Sequence, residues 1–336
     1  MAQHFLLSSA ARTLSLAKVL RMTDAEAFST FRSIRWAGNG GEPFCPACGS
    51  VKVYDISTRQ RFKCAGCHKQ FSVTSGTIFA SRKLTIRDIL GAIAIFVNGA
   101  KGVSALQMSR DLGVQYKTAF VLAHKLREAM GADIDRAPLR GEVEVDGAYF
   151  GGHVKPKNRK EDRVDRRLPQ NQSGKRQVAV IMRERHGRAI PYVTSSEAES
   201  VGMVVESIAE GSRVFADESS AWDTLDAWFD VGRINHKQRY AKGDIRTNWA
   251  ESYFSRLRRA EMGTHHHIAG SYFGAYADEM AWRENNRGAA NGAQYGMVIG
   301  AALRAPVSRT WKGYWQRSGL PKAGLGLLPD QRELQQ

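Results

Sequence analysis

A chain of 336 residues has room for two or three domains, at least one of them with a substantial core. Its formal charge of +16, from 49 Lys and Arg against 33 Asp and Glu, points to a polyanionic partner, either nucleic acid or an anionic surface. The best apolar run, Ile89 to Val97, falls far short of the ~18 residues a spanning helix needs, and Met1 to Arg21 mixes Ser, Arg and Lys among its leucines, which argues against a secretory signal.

Residues 1–41 are expected to be a helical segment: Asp24 reads as an N-cap, and Phe28, Phe31 and Ile34 recur at helical spacing before Trp36. Gly38 to Gly41 break the pattern. Residues 42–80 are short, turn-rich and β-like, with Val51 and Val53 alternating and Phe62 and Phe71 beside the cysteines. Residues 81–135 return to helical periodicity. Within them Val103 to Leu112, Gly113-Val114 and Gln115 to Met130 read as helix, tight turn and helix, with Ala105 and Leu106 set to pack against Ala119 and Leu122. From 140 to 290 the pattern is that of a mixed sheet: strands at Glu142 to Tyr149, Gln177 to Met182, Ala189 to Ser195 and Arg213 to Ala216. Helices follow the third strand, around Ser200 to Ala209 and Ala221 to Phe229. Residues 153–176 carry nine Lys or Arg against three acids and read as a basic loop. Residues 291–336 form a helical extension, helical through about Ala302, and a tail.

Four cysteines stand as two C-x-x-C pairs, Cys45/Cys48 and Cys64/Cys67, separated by 15 residues. Each two-residue gap lets both thiolates reach one tetrahedral ion, so the spacing points to a structural zinc whose binding energy folds a segment too small to gain it from burial. Redox cysteines are the weaker alternative. A ribbon used for protein contacts is a real rival to DNA binding, so Arg59, Arg61, Lys63, His68 and Lys69 are candidate phosphate contacts only. In the helix pair, Gln115, Tyr116, Lys117 and Thr118 open the second helix, where base edges would be read; an ordinary helical hairpin is the alternative. Lys155, Lys157, Arg159 and Lys160 of the basic loop are further DNA-binding candidates.

Period-two alternation in Glu142-Val143-Glu144-Val145-Asp146 puts the valines on one face and three acids on the other, costly on a central strand unless something binds them. Asp217 follows the strand Val214-Phe215-Ala216 and would meet Asp146 at adjacent strand ends. Glu251 lies on a helical stripe with Asn248, Ser255 and Arg258, opposite Ala250, Tyr253, Phe254 and Leu257. Three carboxylates around two divalent cations would activate a water or a 3′-hydroxyl for in-line phosphoryl displacement, and Arg258 could hold a phosphate. His265-His266-His267 reads as a solvated or DNA-facing run, and His236 as the better candidate for a place near the site.

The spacing Asp146, Asp217, Glu251, with the last two 34 positions apart and a basic residue seven further on, resembles the signature of DDE transposases and integrases. The order of Phe31 to Trp36, the cysteine pairs, Ser75-Gly76-Thr77, the helix pair, Glu144-Val145-Asp146 with Tyr149-Phe150-Gly151-Gly152, and Asp217-Glu218 before Trp222 is closer still. With Asn235-His236, Asn248 to Glu251 and Trp282-Arg283-Glu284-Asn285-Asn286-Arg287, it resembles the zinc-ribbon transposases of the insertion sequence fifteen-ninety-five group over residues 25–290. That resemblance implies a ribonuclease-H-like fold after the zinc ribbon and helix-turn-helix. It also implies two Mg²⁺ or Mn²⁺ ions at Asp146, Asp217 and Glu251, and cleavage and strand transfer at the terminal inverted repeats of the chain's own element. The expected partner is double-stranded DNA, bound by at least a dimer in the bacterial cytoplasm, with no membrane. Gly147 and Ala148 depart from the family, standing where an acid and a hydroxyl residue are expected, as does Ser-Tyr-Phe-Ser in place of Phe-Trp-Ser. Some members carry Asn in the third catalytic place, which makes Asn248 a rival or helper to Glu251. The alternatives are a DNA-binding regulator derived from a transposase, another ribonuclease-H-like nuclease such as a junction resolvase, and a membrane-surface protein favoured by charge alone.

Overall fold

The computed structural model describes residues 5–151, 157–165, 171, 176–234 and 247–313. Within those limits the chain forms two compact units, one from residues 5–133 and 286–313, the other from the described part of Ile134–Asn285.

The first unit begins with α1 (Leu16–Leu20) and α2 (Asp24–Arg35). Thr23, not Asp24, is the N-cap of α2: its hydroxyl accepts from the Glu26 N–H, and the Glu26 carboxylate accepts from the Thr23 N–H. Asp24 instead occupies the first helical turn, where its charge favours the helix dipole. Three antiparallel strands follow, β1 (Val53–Ile56), β2 (Arg61–Cys64) and β3 (Gln70–Phe71), in the order β1-β2-β3. Val51 precedes β1 and is exposed rather than part of an alternating strand. This small sheet docks on α2 through aromatic rings: Phe62 lies 5.4 Å from both Trp36 and Phe71, and 6.2 Å from Phe28. Such pairs are worth about 0.5–1.5 kcal/mol each beyond the area they bury. The Arg35 guanidinium locks the same join by donating to the carbonyls of Ser72, Val73 and Ser75, and its burial lowers its pKa to about 10.

The long apolar run then becomes α3 (Ile86–Asn98), capped by Thr85 and Asp88 and buried along most of its length. It is the central helix of the unit, packed against α1, α2 and the late helix α9 (Asn291–Arg304). No helix of the described residues is long and apolar enough to cross a membrane. α4 (Ala105–Asp111) and α5 (Tyr116–Asp133) are joined by a turn at Gly113, whose φ of +64° suits glycine. Met108 of α4 and Ala119 and Leu122 of α5 are buried, as is Val103 just before α4; Leu106 is exposed, contrary to its expected packing role.

The second unit is a five-stranded sheet among the described residues, ordered β6-β5-β4-β7-β8. Its strands are β4 (Glu142–Gly151), β5 (Arg176–Glu184), β6 (Ala189–Thr194), β7 (Arg213–Ala216) and β8 (Asp230–Arg233). β4, β5 and β6 pair antiparallel, while β4 with β7 and β7 with β8 are parallel. Val143, Val145, Val180, Met182, Val214 and Ala216 make an apolar core with Val204 of α6 (Val201–Ser207) and with Trp222 and Leu225. Trp222 and Leu225 belong to a 3-10 segment, Ser220–Ala227, where an ordinary helix is expected from the sequence. α7 (Asn248–Arg259) packs against β4 and β5, and α8 (Gly270–Asn285) against β5 and β6.

Candidate active site

β4 and β7 run parallel with Val145 opposite Ala216, so Asp217, just past the end of β7, lies beside Asp146, which is midway along β4 and still paired with Ile181 of β5 rather than at a strand end as expected. β7 ends there whereas β4 continues to Gly151, and the open strand end leaves both carboxylates partly exposed. α7 brings the third acid. Ala250, Tyr253, Phe254 and Leu257 are buried against the sheet, and Glu251, Asn248 and Arg258 are exposed, with Ser255 half-buried. The charges of Asp217, Glu197 and Glu251 all reach Asp146. Burial first, and then these like charges, raise its pKa to about 8, while the Gly147 N–H, 2.8 Å from Oδ1, pulls the other way. A carboxyl so crowded by acids is the electrostatic condition that a bound cation relieves.

Of the three acids expected on one face of β4, only Asp146 joins this cluster. Glu144 is buried and bound by protein groups: its Oε2 accepts from the N–H groups of Trp249, at 2.8 Å, and Ala250, at 3.1 Å, at the start of α7. Its Oε1 pairs with Arg185, which also holds Glu142. Burial raises the pKa of Glu144, and those donors oppose the rise. Glu284 adds a second tie, pairing with Arg183 of β5 at 2.9 Å and Arg256 of α7 at 2.7 Å. The helix that carries Glu251 is therefore clamped to the sheet at its start by N–H bonds to buried Glu144, and near its end by the ion pairs that run from Arg256 through Glu284 to Arg183. Arg258 lies over the Phe150 ring, 5.8 Å from its centre.

Two site residues escaped the sequence reading. Glu197, in the turn after β6, and Ser219, two places after Asp217, meet in a 2.6 Å hydrogen bond from the Ser219 hydroxyl to Glu197 Oε2. Nothing in Ser195-Ser196-Glu197-Ala198-Glu199-Ser200 marks one acid above the other. Of the run read as solvated or DNA-facing, His266 and His267 are exposed, while His265 is half-buried with its ring 4.7 Å from that of Tyr276. His236 and Lys155 lie outside the described residues. Lys157, Arg159 and Lys160 are exposed beside a 3-10 turn.

In the first unit, the Sγ atoms of Cys45, Cys48, Cys64 and Cys67 all lie within 4.8 Å of one another, with Cys45 to Cys67 at 3.6 Å and Cys48 to Cys64 at 3.5 Å. A tetrahedral zinc with Zn–S bonds of ~2.3 Å sets its sulfurs about 3.8 Å apart, so the cluster fits that ion. The N–H groups of Cys67 and Gly66 aim at Cys64 Sγ, and the bond from Cys67 does most to lower the thiol's pKa to about 6. Gln115, Tyr116 and Lys117 are exposed at the start of α5, with Thr118 half-buried.

Residues 138–285 match the model of the ISXO2-like transposase domain, and residues 22–70 that of the transposase zinc-ribbon domain. The chain belongs to the zinc-ribbon transposases of the insertion sequence fifteen-ninety-five group. No curated protein matches it. In this transposase the first match contains Asp146, Glu197, Asp217 and Glu251, and the second contains all four cysteines. The four-thiolate geometry and the zinc-ribbon family together support a structural zinc. The helix pair α4–α5 lies between the two matches, so its function rests on its shape and surface.

Proposed function

We propose that this transposase cuts and joins DNA at the terminal inverted repeats of its own element by two-metal phosphoryl transfer, with Asp146, Asp217 and Glu251 as cation ligands. One observation carries the proposal: Asp146 and Asp217 stand side by side on a parallel strand pair, and the charges of Asp217 and of Glu251 on α7 both act on Asp146. The strand order, three antiparallel strands followed by two parallel ones with helices on both faces, supports a ribonuclease-H-like fold for residues 140–290. When bound, Mg²⁺ or Mn²⁺ supplies Lewis acidity to the attacking water or 3′-hydroxyl and neutralises the leaving oxygen. The chain's own residues fix the geometry. The middle of β4 and the end of β7 hold the two aspartates, Glu144 and Glu284 clamp α7, and Arg258 is placed on the exposed face of that helix to meet a phosphate. Asn248, exposed one turn before Glu251, is the alternative third ligand.

The exposed start of α5, with Gln115, Tyr116, Lys117 and Thr118, is the base-reading element of a helix-turn-helix, and Lys157, Arg159 and Lys160 bind phosphates. Two element ends must be cut in concert, so the active form is at least a dimer on DNA in the bacterial cytoplasm. The test is cleavage and joining of labelled DNA carrying the element ends, with Mg²⁺ or Mn²⁺, by the intact protein and by Asp146→Ala, Asp217→Ala and Glu251→Ala. Metal-dependent joining lost in all three variants is the expected result. End binding without cleavage by the intact protein would replace this reading with that of a DNA-binding regulator, and an active Glu251→Ala would move the third role to Asn248.

A further inference from the structure

We propose that Trp311 is a positioning residue of the base-reading helix: the segment that follows α9, residues 305–313, straps one side of α5 and fixes Tyr116 at the start of that helix through a ladder of rings. The inference rests on the reading of α4–α5 as a helix-turn-helix and adds a determinant of sequence discrimination that lies outside it.

α5 packs on α4 and α9, and its Ala119, Leu122, Ala123, Leu126 and Met130 are buried at helical spacing. A second stripe, Tyr116, Phe120, His124 and Glu128, sets each residue one turn above the last. The segment after α9 touches three of these four. The Trp311 ring stacks on that of His124, with centroids 4.4 Å apart and 26° between the planes, and meets Phe120 edge-on at 5.9 Å. The Ser308 hydroxyl donates to Glu128 Oε2 at 2.7 Å and accepts from the Trp311 N–H at 3.0 Å. Phe120 lies 4.5 Å from His124 and 5.9 Å from Tyr116, so the ring contacts continue from the strap to the exposed first turn of α5. The strap is itself anchored where it leaves α9: the Ala305 carbonyl accepts from the Ile78 N–H at 3.0 Å, and Ser308 and Trp311 are buried.

The functional consequence follows from what each kind of DNA contact tolerates. Hydrogen bonds to base edges weaken steeply when donor and acceptor are misaligned, whereas contacts to phosphates hold the protein on any sequence. A device that fixes how α5 is rotated and placed therefore acts on the choice between sequences more than on affinity for DNA as such. Flat rings in contact suit that task, because their stacked and edge-on arrangements constrain orientation as well as distance.

The test uses the intact, zinc-loaded protein and compares its affinity for element-end DNA with that for an unrelated duplex of equal length, at one salt concentration, by fluorescence anisotropy. Trp311→Leu keeps an apolar side chain but removes the ring, and Trp311→Phe keeps a ring. Trp311→Leu is expected to lower the ratio of the two affinities about tenfold, the worth of one misread base pair, with affinity for unrelated DNA unchanged. Trp311→Phe is expected to keep most of that ratio. Should Trp311→Leu not fold, Ser308→Ala releases only the tie to Glu128 and is expected to lower the ratio in the same direction. A purely structural part for the strap would lower thermal stability, or both affinities together, and leave the ratio as it was; that result in the folded variant would overturn the assignment. Gln115→Ala and Tyr116→Ala separate the two levels of the argument. If they lower the ratio and the strap variants do not, the helix-turn-helix stands and the strap falls. If none of them lowers it, α5 does not read bases and both fall.

Discussion

Asp146 should make the metal-free protein less stable as pH rises, and replacing it should reverse that. An ordinary aspartate has a pKa of 3.8, whereas in the folded chain Asp146 is raised to about 8 by burial and by Asp217, Glu197 and Glu251. Between those values the folded state holds a proton that the unfolded chain has released, so stability is lost as pH climbs through the window from about 4 to about 8. At about 1.4 kcal/mol per pH unit, the penalty at pH 7 is on the order of 4 kcal/mol as an upper figure, and about half that once the partial exposure of the strand end is allowed for. Asp146→Asn removes the charge at nearly constant size. It is expected to stabilise the catalytic unit by about 2 kcal/mol at pH 8, or a rise in Tm of roughly 4–8 °C, and by almost nothing at pH 4.

Scanning calorimetry of both proteins from pH 4 to 8 reads this directly, in buffer free of magnesium and manganese but without a chelator that would strip the zinc. Adding Mn²⁺ should invert the order at pH 8, because the ion stabilises only the protein that can hold it. The reasoning is refuted if the Asn variant is no more stable than the original at pH 8, or if the difference between them does not change with pH.

Two other perturbations follow from the same geometry. Cys64→Ser should lower the bound zinc content and destabilise residues 42–80 while leaving the fold of the second unit intact; zinc analysis and hydrogen exchange over the two units check it. Glu144→Ala strips two N–H groups of α7 and the buried Arg185 of their acceptor, and should cost about 3–5 kcal/mol in the unfolding of the second unit; denaturant unfolding read by hydrogen exchange over that unit measures it.

Much of this site is legible because its signals are local. Paired cysteines at fixed spacing, valines alternating with acids on β4, and the apolar stripe Ala250, Tyr253, Phe254, Leu257 each carry their geometry within a dozen residues. What escapes is the matching of distant pieces. Glu144 looks the same as Asp146 in an alternating strand, and only the arrival of α7 more than a hundred residues later makes it a helix clamp. Leu106 satisfies the helical period equally well facing in or out, and in the fold it is Met108 that is buried while Leu106 is exposed. Thr23 and Asp24 are both good caps, decided by which side chain can exchange hydrogen bonds with Glu26.

Gly147 brings these lessons together. Read along the strand, it is an unexplained departure: a residue with no side chain on a central strand, where it weakens packing and adds conformational entropy to the unfolded chain. Its meaning is supplied by a turn fifty residues away. Glu197 fills the volume Gly147 leaves, Ser219 holds the incoming carboxylate, and Asp217 shares that serine. Substitutions at 147 and 197 should therefore be read as a pair, since a new side chain at 147 fits only if the Glu197 side chain moves.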